Sequence, residues 1–120
     1  MNIPLGRNIG NALEVKEAIE QTIAKFGKID VLVNNAGYGL TGALEELSDR
    51  EARDNFDINV FGSLNVIRCA MPHLRQQQSG HIFNISSIGG FTGAFPGFGV
   101  YCATKFAVQG FTESLSAEAK

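Results

Sequence analysis

Two short apolar runs, each ending in a turn of small polar residues and each preceded by a helical stretch, constrain this chain more than any other feature. Residues 29–33 form a short, largely β-branched run that leads into Asn34-Asn35-Ala36-Gly37, and residues 81–85 lead into Ser86-Ser87. Runs of this length bounded by turn residues read as strands buried in a parallel sheet. Upstream, Val15, Ala18, Ile19, Ile23 and Phe26 make a helical stripe over residues 13–26, and Gly27 stands where a helix stops. Ser48-x-x-Glu51 has the form of a capping box and opens a long helix with apolar positions at Ala52, Phe56, Val60, Leu64 and Ile67. Pro72 is expected to kink or end that helix, with at most another turn before Ser79-Gly80. A glycine-rich stretch around Pro96 reads as a loop over a site, and a last helix is expected over about residues 99–119. The order helix, strand, helix, strand, helix implies an α/β fold with right-handed crossovers. Ligands of such sheets collect beyond the carboxyl ends of the strands, so the turn at 34–37 and Ser86-Ser87 should face one crevice.

That crevice has an acid/base candidate. Tyr101 and Lys105 are four residues apart in the last helix, so they point the same way. An ammonium near a phenol oxygen favours the phenolate, and such a pair can exchange a proton with an alcohol or carbonyl oxygen near neutral pH. Taken singly, each residue has a plainer reading: Lys105 as a solvated helix lysine, Tyr101 as a half-buried packing residue, Ser86 and Ser87 as turn or cap residues, and Asn59 as a surface helix asparagine or one that locally bends its helix.

Composition narrows the class of partner. With 120 residues, a net charge of −2 and no basic stripe, the chain has little to offer nucleic acid or an anionic membrane, which points to a small-molecule substrate. No apolar run reaches the roughly 18 residues that span a bilayer, and the N-terminus lacks a signal-peptide core, so a cytoplasmic location is expected. Cys69 and Cys102 lack a Cys-x-x-Cys spacing, and His73 and His81 lack ligand-type neighbours, so neither a disulfide framework nor a metal site is expected. Cys102 reads as a small packing residue.

Four elements in order, Val31-Leu32-Val33-Asn34-Asn35-Ala36-Gly37, Asn59 within Asp57-Ile58-Asn59-Val60, Asn84-Ile85-Ser86-Ser87, and Tyr101-x-x-x-Lys105, resemble the short-chain dehydrogenases/reductases. The resemblance implies a partial Rossmann-like, doubly wound parallel sheet and an NAD(P)-dependent oxidoreductase that interconverts an alcohol and a carbonyl, with NAD or NADP as cofactor. It also implies roles. Tyr101 becomes the catalytic acid/base; Lys105 assists it and holds the nicotinamide ribose. Ser87 polarises the substrate oxygen, and Asn59 helps hold a water relay behind Lys105. Asn34, Ala36 and Gly37, with Tyr101 and Lys105, become the cofactor-binding set. Ser87 precedes Tyr101 by fourteen positions and Ser86 by fifteen, where the family commonly has thirteen. Ser87 with a one-residue loop insertion is preferred, and Ser86 stays open.

The resemblance begins near Ala12, so residues 1–11 are read as non-matching and 12–120 as a partial NAD(P)-binding domain. The glycine-rich phosphate turn and the residue that chooses between NAD and NADP are not recognised, and a truncated fragment is expected. A homo-oligomer is expected from the family. Phe91, Phe95 and Phe98 hint at an apolar alcohol or ketone. The alternative reading is a catalytically inactive fragment that self-associates through its long helices, because an exposed sheet edge and bare apolar faces need a partner.

Overall fold

The computed structural model describes residues 11–34, 37–84 and 93–119. Helix α1 (Ala12–Phe26) begins at Asn11, whose side chain accepts from the Leu13 and Glu14 amides, and ends at Gly27 in the left-handed region at φ 85°. Strand β1 (Val31–Asn34) follows. The capping box then forms as expected: the Ser48 hydroxyl accepts from Glu51 N–H, and the Glu51 carboxylate accepts from Ser48 N–H. It opens α2 (Asp49–Phe56), which passes through a π-helical segment (Asp57–Gly62) into α3 (Ser63–Gln77). Strand β2 (His81–Asn84) and helix α4 (Gly99–Glu118) complete the order.

β1 and β2 pair in parallel, with Val31, Leu32, Val33 and Asn34 opposite His81, Ile82, Phe83 and Asn84. Leu32 faces a core made with Val15 and Ile19 of α1, Ile29, and Val66, Ala70 and Leu74 of α3. Each of these larger apolar side chains contributes about 1.5–3 kcal/mol by leaving water. The expectation of strands buried on both faces meets a correction here. Val31, Val33 and Phe83 alternate to the other side of the sheet and stand 42%, 55% and 54% exposed, since the described helices pack on the Leu32 face. Phe26 also departs from its stripe, lying exposed beneath the Lys25 ammonium.

Pro72 does not end its helix, and α3 runs on to Gln77. Proline inside a helix costs about 3 kcal/mol, but both Pro72 and Arg68, whose carbonyl loses its donor, are exposed to water. The row Val66, Ala70, Leu74 packs the opposite side of α3 into the core and offsets that cost. The turn into β2 then uses Gln78 at φ 58° and Gly80 at φ 129°, where a Cβ would meet Leu74 Cδ2 at 2.7 Å. From the last turn of α3 the Gln77 amide pairs with Ile29 like a short piece of strand: Oε1 accepts from Ile29 N–H at 3.0 Å and Nε2 donates to Ile29 C=O at 2.8 Å.

Candidate functional site

The register alone brings Asn34 and Asn84 side by side at the carboxyl ends of the two strands. Asn34 Nδ2 donates to Asn84 Oδ1 at 2.8 Å, Asn84 Nδ2 donates to Thr112 Oγ1 at 2.9 Å, and the Thr112 hydroxyl donates to Val108 C=O. This chain of bonds ties the sheet end to α4. Asn34, 8% exposed, uses its amide donor within the sheet. Sequence reasoning singled out neither Asn84 nor Thr112; the only signal for Asn84 was its place before Ile85-Ser86.

Gly37 approaches the middle of the π segment and α4 so closely that a Cβ there would sit 2.8 Å from Asn59 Oδ1 and 3.8 Å from Lys105 Nζ. Only a glycine backbone permits that approach. Asn59, 1% exposed, then holds the next residue by both backbone groups: Tyr38 N–H donates to Asn59 Oδ1 at 3.0 Å, and Asn59 Nδ2 donates to Tyr38 C=O at 3.1 Å. Asn59 Nδ2 also donates to Thr104 Oγ1 at 3.1 Å, and the Thr104 hydroxyl donates to Tyr101 C=O at 2.6 Å. One amide thus joins the loop after β1 to the helix that carries the acid/base candidates. The plainer reading of Asn59 as a surface residue is incompatible with this burial.

On α4, Lys105 is 8% exposed and its Nζ lies over the Tyr101 ring, 5.5 Å from the centroid, where the ring's negative face attracts the cation. Burial lowers the Lys105 pKa from its ordinary value by penalising the charged form. Gly37, Asn59, Tyr101 and Lys105 therefore lie close together; helical spacing predicts this for Tyr101 and Lys105 alone. Ser86, Ser87, Asn35 and Ala36 lie outside the described residues.

The loops on either side meet above this cluster, where Gly42 N–H donates to Gly97 C=O at 2.7 Å and Leu44 lies against Gly99. They carry exposed apolar groups at Tyr38, Leu44, Phe95 and Phe98. His81 stacks on Phe83 along the open sheet face, away from this cluster, and Cys102 is a buried thiol. Among the described residues there is no group of three or more histidine, cysteine or acidic side chains suited to a metal ion, and no helix is long and apolar enough to cross a membrane.

The donor set suits a nicotinamide nucleotide's ribose: a buried ammonium with several donors beside a phenol that both donates and accepts, next to a glycine backbone that leaves room for close approach. The chain is 43% identical over 111 residues to a 3-ketodihydrosphingosine reductase of Bacteroides thetaiotaomicron, covering 92% of this chain and 41% of that one. It superposes on ElxO with NADP bound with a TM-score of 0.90 at 36% identity, over 93% of this chain and 45% of that one. It also superposes on a short chain dehydrogenase/reductase from Burkholderia phymatum in complex with NAD, with a TM-score of 0.88 at 34% identity, over 92% of this chain and 40% of that one. The chain thus spans less than half the length of these relatives, and its α/β arrangement is part of their Rossmann-like fold. The short chain dehydrogenase family model matches residues 3–120, starting upstream of the Ala12 boundary. With that match over nearly its whole length, the chain belongs to the short-chain dehydrogenase/reductase family.

Proposed function

We propose that this chain is the catalytic part of an NAD(P)-dependent oxidoreductase that interconverts an alcohol and a carbonyl. The observation that carries the reading is the buried Lys105 ammonium over the Tyr101 ring, joined through Thr104 and Asn59 to the loop after β1. When bound, the nicotinamide supplies or accepts the hydride. In this reading the Tyr101 hydroxyl gives a proton to the substrate oxygen in reduction and takes it in oxidation. Lys105 keeps positive charge beside Tyr101 and donates to the cofactor's ribose. Asn59 fixes the loop and α4 relative to each other, so that Gly37 lines the cofactor side without a side chain in the way. Ser87 is assigned to the substrate oxygen on its motif alone. NAD and NADP are both kept, because the solved relatives include one of each.

The substrate is proposed to be an apolar alcohol or ketone. Tyr38, Leu44, Phe95 and Phe98, all exposed on the joined loops, support this, as does the sphingoid substrate in the name of one relative. The test is Tyr101→Phe assayed with NADH or NADPH and long-chain or aromatic ketones. Loss of the hydroxyl is expected to lower turnover roughly 10²–10⁴-fold with cofactor binding kept. Equal turnover by the variant would remove Tyr101 from the chemistry.

A second reading, self-association without turnover, draws on the open sheet face with Val31, Val33 and Phe83. Concentration-dependent sedimentation in a protein that binds neither nucleotide would favour it.

A further inference from the structure

We infer that Asn55 is a positioning residue for this site, acting on Asn59 through the Tyr38 carbonyl; the inference rests on the proposed nicotinamide site. Asn55 lies one α-helical turn before Asn59, is 0% exposed, and donates from Nδ2 to Tyr38 C=O at 2.9 Å. That oxygen also accepts from Asn59 Nδ2, so two amides from one helix saturate a single loop carbonyl.

The helix is shaped for this. In a regular α-helix, residues four apart are offset by about 40° around the axis. The change from α2 to the π segment falls between Phe56 and Asp57, and a wider turn advances less per residue. Asn55 and Asn59 therefore come closer to alignment, and both reach Tyr38. Because Asn59 also binds Tyr38 N–H and Thr104, a shift of the Tyr38 peptide would turn the Asn59 amide and release its hold on α4.

The other half of the Asn55 amide marks the residue as more than packing. Asn55 Oδ1 is buried and has no hydrogen-bond partner among the described residues. A buried acceptor left unpaired is destabilising, and an apolar side chain would not carry that cost. Stability alone does not favour asparagine here; its donor to Tyr38 does.

The chain has only two tyrosines, so [15N]tyrosine labelling gives two amide signals, assigned with Tyr101→Phe. In Asn55→Leu the fold should be kept, because loss of the orphaned acceptor offsets part of the overpacking that the larger side chain brings. The Tyr38 amide should shift and exchange about tenfold faster or more, and NADH or NADPH should bind about tenfold more weakly. Asn55→Ala, which removes the donor and adds neither volume nor charge, should loosen Tyr38 at least as much, and it carries the test if the leucine variant fails to fold. Gln77→Ala, which removes the amide pairing at the other end of β1, should leave the Tyr38 signal in place. A Tyr38 signal at the parent position and exchange rate in a folded Asn55 variant would overturn the inference, as would a loosened Tyr38 with unweakened nucleotide binding. If the parent binds neither nucleotide, the proposed function fails by itself, while the amide signal still judges the hold of Asn55 on Tyr38.

Discussion

At the amino end of β1 the Gln77 amide pairs with both backbone groups of Ile29, and beyond the carboxyl end the Asn59 amide does the same for Tyr38. The two clamps differ in what surrounds them. Gln77 is half-buried at the end of its helix, and its spare donor reaches the Ser79 carbonyl, a local turn. Asn59 is buried in a π segment, and its spare donor reaches Thr104 on α4, 45 residues away in sequence. The same two-bond device serves to tie down a strand at one end and to align two distant elements at the other. π-Helical turns recur at functional positions because they re-aim side chains in this way.

Removing the inner clamp should do the most damage. Asn59→Ala leaves Tyr38 N–H and Thr104 Oγ1 without their partner in a buried site, an expected cost of about 2–4 kcal/mol. Urea unfolding checks the stability loss, and nucleotide titration should show binding lost with it. Gly37→Ala attacks the same clamp from the loop side. The added methyl would overlap Asn59 Oδ1, and an expected 1–3 kcal/mol of overpacking, roughly, should be lost together with affinity. The outer clamp should behave differently: Gln77→Ala is expected to cost about 1 kcal/mol, because water can replace the lost partners, and to leave nucleotide binding unchanged. Comparable loss of binding in Gln77→Ala and Asn59→Ala would erase the distinction between the two ends.

The smallest effect concerns Lys105, whose pKa is lowered by burial from the ordinary 10.5. Between the lowered value and 10.5 the unfolded chain holds more protons than the folded one, so this group's contribution to stability rises with pH in that window. Below the window the folded protein bears the whole cost of the buried charge. The stability of Lys105→Met relative to the parent should therefore decline as pH rises toward 10.5, read by urea unfolding at several pH values. A constant or increasing difference would mean that burial is not what governs this lysine.

Much of this architecture was legible in the sequence because it is local. The α1 stripe with its Gly27 stop, the Ser48–Glu51 box and the parallel order all follow from spacing and caps, and α4 begins and ends within a residue of its expected span. Non-local effects were not legible. Pro72 reads as a kink or an end, with at most another turn to follow, until the burial of the opposite helix face is known, and Val33 reads as core until the described helices are seen to pack on the other face of the sheet. At the site, Gly37, Asn59, Tyr101 and Lys105 were visible as motifs, whereas Thr104, Asn55 and the carbonyl of Tyr38 were not. The spacing of Asn55 and Asn59 was available, but an α-helical reading of residues 49–67 set its buried side on apolar positions. The buried side instead carries Asn55 at the end of α2 and, in the π segment that no propensity announces, Asn59 beside Val60.

The most direct measurement is a titration of the protein with NADH and with NADPH, following nicotinamide fluorescence and thermal shift, in the parent, Asn59→Ala and Gln77→Ala. Saturable binding of one nucleotide, lost in Asn59→Ala and kept in Gln77→Ala, is the expected result. A folded parent that binds neither nucleotide, or binding indifferent to Asn59→Ala, would contradict a nicotinamide site built on the inner clamp.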